Sequence, residues 1–188
     1  RTLPGGLACL IRLRQLGIRH VDPGPVRGVD TPVRVTGPIR GVTYRPMGRG
    51  RLVCDCRLAL ALHRAAPLLL DLGISELHFS GAYSFRRMPG GRLSRHAMGL
   101  AIDVHRLTVR GRVLRVEEHY VRGLEGGCAG TDAVLNRLGC QLRRRGLFDR
   151  VLTPDHDRAH RNHFHLAILS LHRRRFVPAD TPPAADAD

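Results

Sequence analysis

The longest amphipathic stretch of the chain predicts a helix. Leucines and alanines at helical spacing follow Asp55 and stop before Gly73, which indicates a helix over 55–72 with Asp55 as its N-cap. Pro67 lies inside this stretch and should kink or divide the helix, because proline lacks the backbone donor that a helix interior uses. The same periodicity predicts two further helices, a short one over 1–17 and one over 131–145 with Thr131 as its cap.

Alternation of apolar and polar positions predicts strands. The segment 76–83 places Leu77 and Phe79 on one face and His78 and Ser80 on the other. Similar segments predict strands over 100–105, 113–116 and 162–169. This set of elements favours the α+β class, with a small, mainly antiparallel sheet flanked by helices.

Two regions show no clear period. Residues 22–51 are rich in Pro, Gly and Arg, and we expect them to wrap around the core with small hairpins. Residues 177–188 are rich in Pro, Ala and Asp, and we expect a disordered tail. The length of 188 residues fits a single domain over 1–176, and a monomer is expected.

The composition narrows the class of partner. The formal net charge is +15, and all 31 basic residues are arginine, which is compatible with an anionic wall polymer or another polyanionic surface. A nucleic acid is not expected, since the arginines are scattered from Arg1 to Arg175 and aromatic residues make up only 4 % of the chain. No apolar run is long enough to predict a transmembrane segment.

The cysteines leave two interpretations open. The five cysteines contain no Cys-x-x-Cys pair, so a thiolate zinc site is not expected. One or two disulfides with a spare thiol would fit an exported protein, and buried free thiols in a reducing compartment would fit almost as well. Residues 1–16 contain no long apolar segment before a small-residue cleavage site, so an export signal is absent or was removed before this numbering begins.

A histidine-rich segment over 160–165 carries the first part of the candidate chemistry. His163 and His165 are separated by one residue, so on a strand both imidazoles face the same side while Phe164 faces the core. With His160 they place three histidines within six residues, which is hard to explain as a run of surface positions. The segment therefore predicts an open cleft lined by imidazoles.

A second segment supplies a carboxylate. On the strand predicted over 100–105, Asp103 projects away from the apolar face. Gly99 allows the chain to turn, so that His96 and Asp103 can reach one ion. Together the two segments offer two imidazoles and a carboxylate to a divalent metal, with two more imidazoles nearby to handle protons. Three protein ligands leave a coordination position open for water, as in catalytic zinc sites.

Other polar residues are expected to have ordinary roles. We interpret Glu117 and Glu118 as surface residues, and Ser94 as a hydrogen-bonding residue near the metal loop rather than a nucleophile. Asp155 or Asp157 would be able to orient His160, although turn formation around Pro154 explains both aspartates equally well. The remaining histidines are interpreted as surface or core residues: His20, His63, His78, His105, His119, His156 and His172.

The chain carries the motif Ser94-x-His96-x-x-Gly99-x-Ala101-x-Asp103, which resembles the signature of zinc D-Ala-D-Ala peptidases and murein endopeptidases. Over residues 7–170 the chain is more similar to bacterial extensin-like C-terminal domain proteins, which share this peptidase-like pattern. The segments that carry the similarity are 54–59, 81–86, 93–103, 151–154 and 160–165.

The resemblance implies a zinc centre with defined roles. The implied zinc ligands are His96, Asp103 and His165. His163 would be the general base, and His160 a second imidazole that holds or protonates the transition state. Arg86 matches an arginine that steadies the developing oxyanion in related peptidases.

Three departures from the related patterns matter. Asn162 stands where the carboxypeptidases place Glu, so the His-x-x-His-x-His pattern is closer to the penicillin-insensitive murein endopeptidases. Phe85 replaces a cysteine that is common in extensin-like relatives, which would leave Cys54 or Cys56 without its usual partner. Arg95 replaces a common Glu beside a metal ligand. We expect it to point to solvent, where it would be able to tune the charge of the substrate.

These observations predict a zinc-dependent, peptidase-like hydrolase that acts on peptide cross-links of cell-wall peptidoglycan. The alternative is a non-catalytic, zinc-containing wall-binding module, and a third possibility is a metal-dependent amidase or hydrolase acting on an unrelated polymer. Loss of turnover with retained binding, after replacement of His163 or His160, would distinguish an enzyme from a binding module. A murein substrate would place the protein outside the cytoplasmic membrane, in the periplasm or cell envelope.

Overall fold

A computed structural model describes residues 3–88, 90–124 and 133–169. Within these ranges the chain is α+β, as the sequence predicts. The helices are α1 Gly6–Gln15, α2 Cys56–Asp71, α3 Val116–His119 and α4 Val134–Arg144. The strands are β1 His20–Val21, β2 Pro32–Val35, β3 Thr43–Pro46, β4 Val53–Asp55, β5 Ile74–Gly81, β6 Ala101–Val109, β7 Arg112–Arg115, β8 Arg150–Leu152 and β9 Phe164–Ala167.

The larger sheet carries the candidate site. Its six strands run in the order β3-β5-β6-β9-β8, and β7 also pairs with β6. All of its strand pairs are antiparallel except β3 with β5, which are parallel. The sheet is therefore mixed, with a mainly antiparallel arrangement around its central strands.

One apolar core lies between this sheet and the helices. Side chains from α2, β5, β6, α4 and β9 meet there, among them Leu62, Leu77, Val104, Leu138 and Phe164. Each fully buried side chain of this size contributes about 1.5–3 kcal/mol to the free energy of unfolding. Because strand residues alternate between faces, burying one face of β6 and β9 leaves their other face available for polar groups.

The start of α2 follows the sequence prediction, and of the two effects predicted for Pro67 the division of the helix does not occur. The Oδ1 atom of Asp55 accepts a hydrogen bond from the N–H of Arg57 at 3.0 Å, so Asp55 is the N-cap. The helix continues through Pro67 to Asp71, so the expected division at this proline is wrong. The helix tolerates the missing donor because most of its length is packed into the core.

The segment 22–51 forms more than small hairpins. Its strand β2 lies between β1 and β4 in a second, three-stranded antiparallel sheet, where Val33 faces Cys54. Its strand β3 joins the edge of the larger sheet. A local turn closes with the bridge between Ile39 and Val42. The segment therefore contributes to both sheets, because its short β-like stretches pair with residues that are distant in sequence.

The remaining predictions concern the chain ends and element boundaries. A disulfide between Cys9 and Cys56 ties α1 to α2. The strand β6 extends to Val109, beyond the predicted end, because it pairs with β7. Thr131 and the predicted tail over 177–188 lie outside the described residues. No helix in the described ranges combines the length and apolar character that a membrane crossing requires.

Candidate metal centre

Strand register brings together the first two candidate ligands. Asp103 on β6 lies directly opposite His165 on β9. The next opposed pair, Ile102 with Leu166, is buried in the core. Because neighbouring residues on a strand face opposite sides, the burial of this apolar pair places Asp103 and His165 side by side on the outer face.

A short 3₁₀ turn, His96–Met98, delivers the third candidate ligand. Gly99 ends the turn with φ 64°, and a Cβ atom there would lie 2.6 Å from the backbone nitrogen of Asp55, so only glycine fits. The Gly99 carbonyl accepts a hydrogen bond from that nitrogen at 2.9 Å. Ser94 Oγ accepts from the N–H of Ala97 at 3.1 Å, the local role expected of this serine. These contacts fix His96 over the start of β6.

The three predicted ligands converge on one point. His96 Nε2 lies 3.1 Å from Asp103 Oδ2 and 3.2 Å from His165 Nδ1, and His165 Nδ1 lies 2.8 Å from Asp103 Oδ1. His96 is buried, whereas the side chains of Asp103 and His165 are 16 % and 13 % exposed. Tetrahedral zinc, with bonds of about 2.0–2.2 Å, separates its ligand atoms by about 3.3–3.6 Å. The observed distances between ligand atoms, 2.8–3.2 Å, are close to those around a divalent metal ion. The partial exposure of Asp103 and His165 opens the cluster to solvent on one side.

The protonation states favour a cation at this point. Burial by itself raises the pKa of Asp103, but hydrogen bonds from His165 and His96 outweigh burial and hold that pKa well below its usual range. Burial lowers the pKa of His165, against the opposing effect of Asp103, so its neutral form is favoured. An ionised carboxylate and neutral imidazoles are the forms in which these side chains bind metals.

His163 lies beside the candidate ligands, at the residue before β9, which begins at Phe164 rather than at the predicted residue 162. Its Nε2 atom is 3.6 Å from Asp103 Oδ1. Burial lowers the pKa of His163 to about 4, so the ring is neutral near pH 7. Its Nδ1 lies 2.8 Å from the amide oxygen of Asn162, which can only accept, so Nδ1 carries the hydrogen and Nε2 has the free lone pair.

His160 is oriented by Asp157. Both its Nδ1 and its backbone N–H donate to Asp157 Oδ1, at 2.7 and 3.0 Å. Asp155 instead accepts from the Tyr120 hydroxyl at 2.6 Å and from the N–H of Gly123 at 3.0 Å. Of the two carboxylates that the sequence left open, Asp157 is thus the one that holds the imidazole.

Two histidines that the sequence pattern left without a role border this cluster. The ring centre of His105 lies 5.0 Å from that of His163, and the ring centre of His156 lies 5.5 Å from that of His160. His105 is two residues after Asp103 on β6, so strand alternation contained the signal that places it on the site face. His156 lies outside the helices and strands, where no periodic signal exists.

Arg95 does not point to solvent as expected. Its Nη1 atom donates to the carbonyl of Ile168 at 2.7 Å, and the residue is partly buried. The carbonyl of Arg95 accepts from the N–H of Leu100 at 2.8 Å, and the carbonyl of Leu100 accepts from the N–H of Ile168 at 3.0 Å. The guanidinium turns inward because a backbone acceptor is within reach, and it joins the residue before His96 to the residue after β9.

Arg86 lies in the loop between β5 and the 3₁₀ turn. Its carbonyl accepts from the N–H of Ser94 at 3.0 Å, and the N–H of Ser84 donates to the carbonyl of His96 at 3.2 Å. The loop therefore runs beside His96. The side chain of Arg86 is exposed, and among the described residues no ion pair or hydrogen bond joins its guanidinium. Its role at an oxyanion stays a prediction.

Glu117 and Glu118 have the geometry of surface residues, as predicted. Their side chains are 61 % and 52 % exposed. Glu118 accepts a hydrogen bond from Arg115 Nη1 at 2.8 Å, and Glu117 lies 4.0 Å from Arg161 Nε. Ion pairs with this exposure contribute little to stability.

The family comparison covers all of these residues. The family model described as extensin-like protein C-terminus matches residues 8–176. The chain belongs to this family. The comparisons with curated proteins and with solved structures found no match to this chain.

The cysteines of this extensin-like domain have distinct states. Cys56 is bonded to Cys9, and Cys140 is also disulfide-bonded. Cys54 is a free, buried thiol, and burial raises its pKa. Of the two cysteines that the replacement at Phe85 was expected to leave without a partner, Cys54 is therefore the free one. A buried, protonated thiol of this kind is unreactive.

Proposed function

We propose that this extensin-like domain is a zinc-dependent, peptidase-like hydrolase that acts on the peptide cross-links of cell-wall peptidoglycan. The observation that carries the proposal is the convergence of His96, Asp103 and His165, which offer three ligand atoms within 4.8 Å of one another. These residues come from a turn and from two adjacent strands, so the convergence is a product of the fold rather than of neighbouring sequence positions.

The donor set fits zinc. Two imidazole nitrogens and one carboxylate oxygen are common zinc ligands, and His96 would bind through Nε2 and His165 through Nδ1. A zinc ion with three protein ligands supplies Lewis acidity at its open coordination position. In the metal-bound form each neutral imidazole would carry its hydrogen on the other ring nitrogen, so that His96 Nε2 and His165 Nδ1 offer lone pairs.

His163 is suited to accept the proton of the attacking water. Its Nδ1 hydrogen is held by Asn162, so Nε2 has the free lone pair and faces Asp103 at 3.6 Å. A neutral imidazole in this position has a lone pair free to take up the proton in the transition state, as general-base catalysis requires. Asn162 fixes the ring by an amide oxygen, in place of the carboxylate that the related carboxypeptidases have at this position.

His160 is suited to the second proton transfer. Its ring centre lies 5.2 Å from that of His163 and 5.8 Å from that of His165. With Nδ1 bonded to Asp157, Nε2 of His160 is the nitrogen available to exchange a proton with the leaving amine. The proposal thus assigns one imidazole to each of the two proton transfers that amide hydrolysis needs.

The substrate class and location are inferred from the motif, the net charge and a disulfide. The motif over 94–103 resembles that of murein endopeptidases, and the net charge of +15 favours an anionic wall polymer. The disulfide between Cys9 and Cys56 supports an oxidising compartment, such as the periplasm or cell envelope.

The first test is the metal content of the purified protein after incubation with zinc and removal of the excess. We expect about one zinc per chain, as three-ligand sites hold one ion, and loss of that zinc in a His96→Ala/His165→Ala variant. A His63→Ala/His119→Ala variant removes two histidines outside the cluster and should keep the zinc. No bound zinc in the native protein would overturn the proposal.

The second test is hydrolysis of cross-linked muropeptides, followed by mass spectrometry of the products. His163→Ala should retain zinc but lose about 100-fold or more in turnover, the usual contribution of a general base, while His63→Ala should behave as the native protein. Unchanged turnover in His163→Ala would refute the assigned role. Zinc and muropeptide binding without turnover in the native protein would instead assign a wall-binding module.

A further inference from the structure

A second polar pocket lies at the junction of the two sheets. Its volume is about 420 Å³, and its walls come from the residues around β1, β2, β3 and β4. The edge strand β3 forms one side, and the three-stranded sheet forms the other. None of the histidines of the metal centre lines this pocket.

The pocket is strongly basic. Arg19, Arg34, Arg45 and Arg51 line it, and its lining contains no acidic residue. One of these arginines, Arg45, is paired with Glu76 from β5. The other three have no ion pair among the described residues, so their positive charges face the pocket uncompensated. Three unpaired guanidinium groups around one pocket form a recognition surface for oxyanions, because the planar donor fork of arginine matches phosphate and carboxylate groups.

One arginine is held in place by the backbone. A Cβ atom built on Gly37 would lie 2.5 Å from both Nε and Nη2 of Arg19. The guanidinium therefore rests directly on the glycine, in space that any other residue would fill. The carbonyl of Arg19 also accepts from the N–H of Thr36 at 3.0 Å, so the main chain of Arg19 is held at the strand end while its side chain packs against Gly37.

The wall of the pocket contains polar atoms without partners. Arg34 Nε and Tyr44 Oη are buried, and neither has a hydrogen-bond partner within the described part of the chain. Both residues line the pocket. Buried polar atoms are normally paired, so two unpaired ones in a single pocket wall mark a place where the protein does not satisfy its own donors.

We infer that this pocket is a binding site for a ligand with two or more oxyanion groups, either phosphates or carboxylates, and that it is separate from the metal centre. Arg45 lies on β3, two strands away from β6, and it pairs with His78 on β5. Asp103 pairs with Gly81, three residues after His78 on β5. At about 4.8 Å per strand and 3.3 Å per residue, the two sites are about 14 Å apart. The inference does not depend on the proposed hydrolase activity.

The test is calorimetric titration of the full chain with pyrophosphate and, separately, with citrate at low ionic strength. We expect saturable binding of at least one probe. The probe with the higher affinity identifies whether the pocket prefers phosphate or carboxylate groups. Binding should be unchanged in Asp103→Asn, which removes the metal centre without touching the pocket. Absence of saturable binding for both probes would overturn the inference.

Two sets of variants separate a built site from general positive charge. Arg34→Gln/Arg51→Gln should weaken binding by about tenfold or more, the scale of losing charged hydrogen bonds. Arg64→Gln/Arg112→Gln removes the same charge from exposed positions on α2 and β7 and should have a much smaller effect. Equal losses in the two double variants would mean that only net charge attracts the probe, and would overturn the inference.

A third variant changes no charge. Gly37→Ala places a methyl group where the Arg19 guanidinium rests and should displace it. We expect several-fold weaker binding with an unchanged thermal transition, because the displaced atoms are the far end of a flexible side chain. Native affinity in Gly37→Ala, together with native affinity in Arg34→Gln/Arg51→Gln, would exclude the arginines as the binding groups.

Discussion

Two aspartates, Asp55 and Asp103, show how differently this fold treats a carboxylate. Asp55 is fully buried, and its two oxygens accept from the backbone N–H groups of Thr31 and Arg57 and from two nitrogens of the Arg57 guanidinium, at 2.7–3.1 Å. Asp103 is partly exposed, and its hydrogen-bond partners are imidazoles of His96 and His165.

The difference lies in what the partners can give up. A guanidinium stays protonated in proteins, and pairing with Asp55 raises the pKa of Arg57 further. A protonated imidazole loses one hydrogen near neutral pH and then offers a lone pair to a cation. Asp55 therefore has its charge and its lone pairs permanently satisfied, whereas the partners of Asp103 are side chains that could themselves bind a metal ion. A carboxylate among imidazoles is typical of a candidate metal site. A carboxylate paired with arginine and backbone donors is typical of a residue that stabilises the fold.

The largest effect is expected from breaking the structural pair. Asp55→Asn should lower the free energy of unfolding by about 3 kcal/mol, because it leaves the buried Arg57 charge with only the half-exposed Asp30 carboxylate, at 3.7 Å, as a counter-ion. The measurement is denaturant unfolding at fixed pH without added metal. Asp71→Asn, an exposed position at the end of the same helix, is the control and should be neutral. A loss below about 1 kcal/mol in Asp55→Asn would mean that water reaches Arg57 and that the pair is not sealed.

The second effect should appear only with metal. Zinc at 100 times its dissociation constant should stabilise the native protein by about 2.7 kcal/mol, and this increment should vanish in Asp103→Asn. In Asp55→Asn the increment should persist on a lower baseline. The measurement is the thermal transition with and without zinc. Equal zinc stabilisation in the native protein and Asp103→Asn would contradict the contrast between the two carboxylates.

Much of the fold was accessible from the sequence where local patterns are strong. The apolar periodicity after Asp55 located α2, and alternation located β5, β6 and β9. The roles of β2 and β3 were not accessible, because short strands in a Pro- and Gly-rich segment take their partners from elsewhere in the chain. The sequence left open whether Pro67 kinks or divides α2, and the helix is continuous because burial outweighs the local cost of one lost donor.

In the candidate site, too, some residues were predictable from local patterns and others depend on distant contacts. The side-by-side positions of His165 and Asp103 followed from strand alternation, and His163 lies beside them although β9 begins one residue after it. His105 was equally readable, two positions after Asp103, but an isolated histidine was interpreted as an ordinary residue. The position of Arg95 was not readable, because its acceptor is the carbonyl of Ile168, 73 residues away. Sequence patterns report the face of an element, whereas contacts made by loop side chains depend on the assembled fold.

Arg95 provides the smallest expected effect and the sharpest test of how the metal centre is positioned. In Arg95→Gln the glutamine side chain is too short to reach the Ile168 carbonyl. The substitution should lower the free energy of unfolding by about 1.5 kcal/mol, as expected for the loss of one charged hydrogen bond. Zinc affinity should fall about tenfold, because residues that orient metal ligands contribute at this level, while Arg92→Gln on the same loop should change neither quantity. If Arg95→Gln loses stability but binds zinc like the native protein, the backbone bonds of Leu100 and Gly99 alone position His96. The guanidinium would then be a structural contact, of the same kind as the Asp55 pair rather than part of the Asp103 centre.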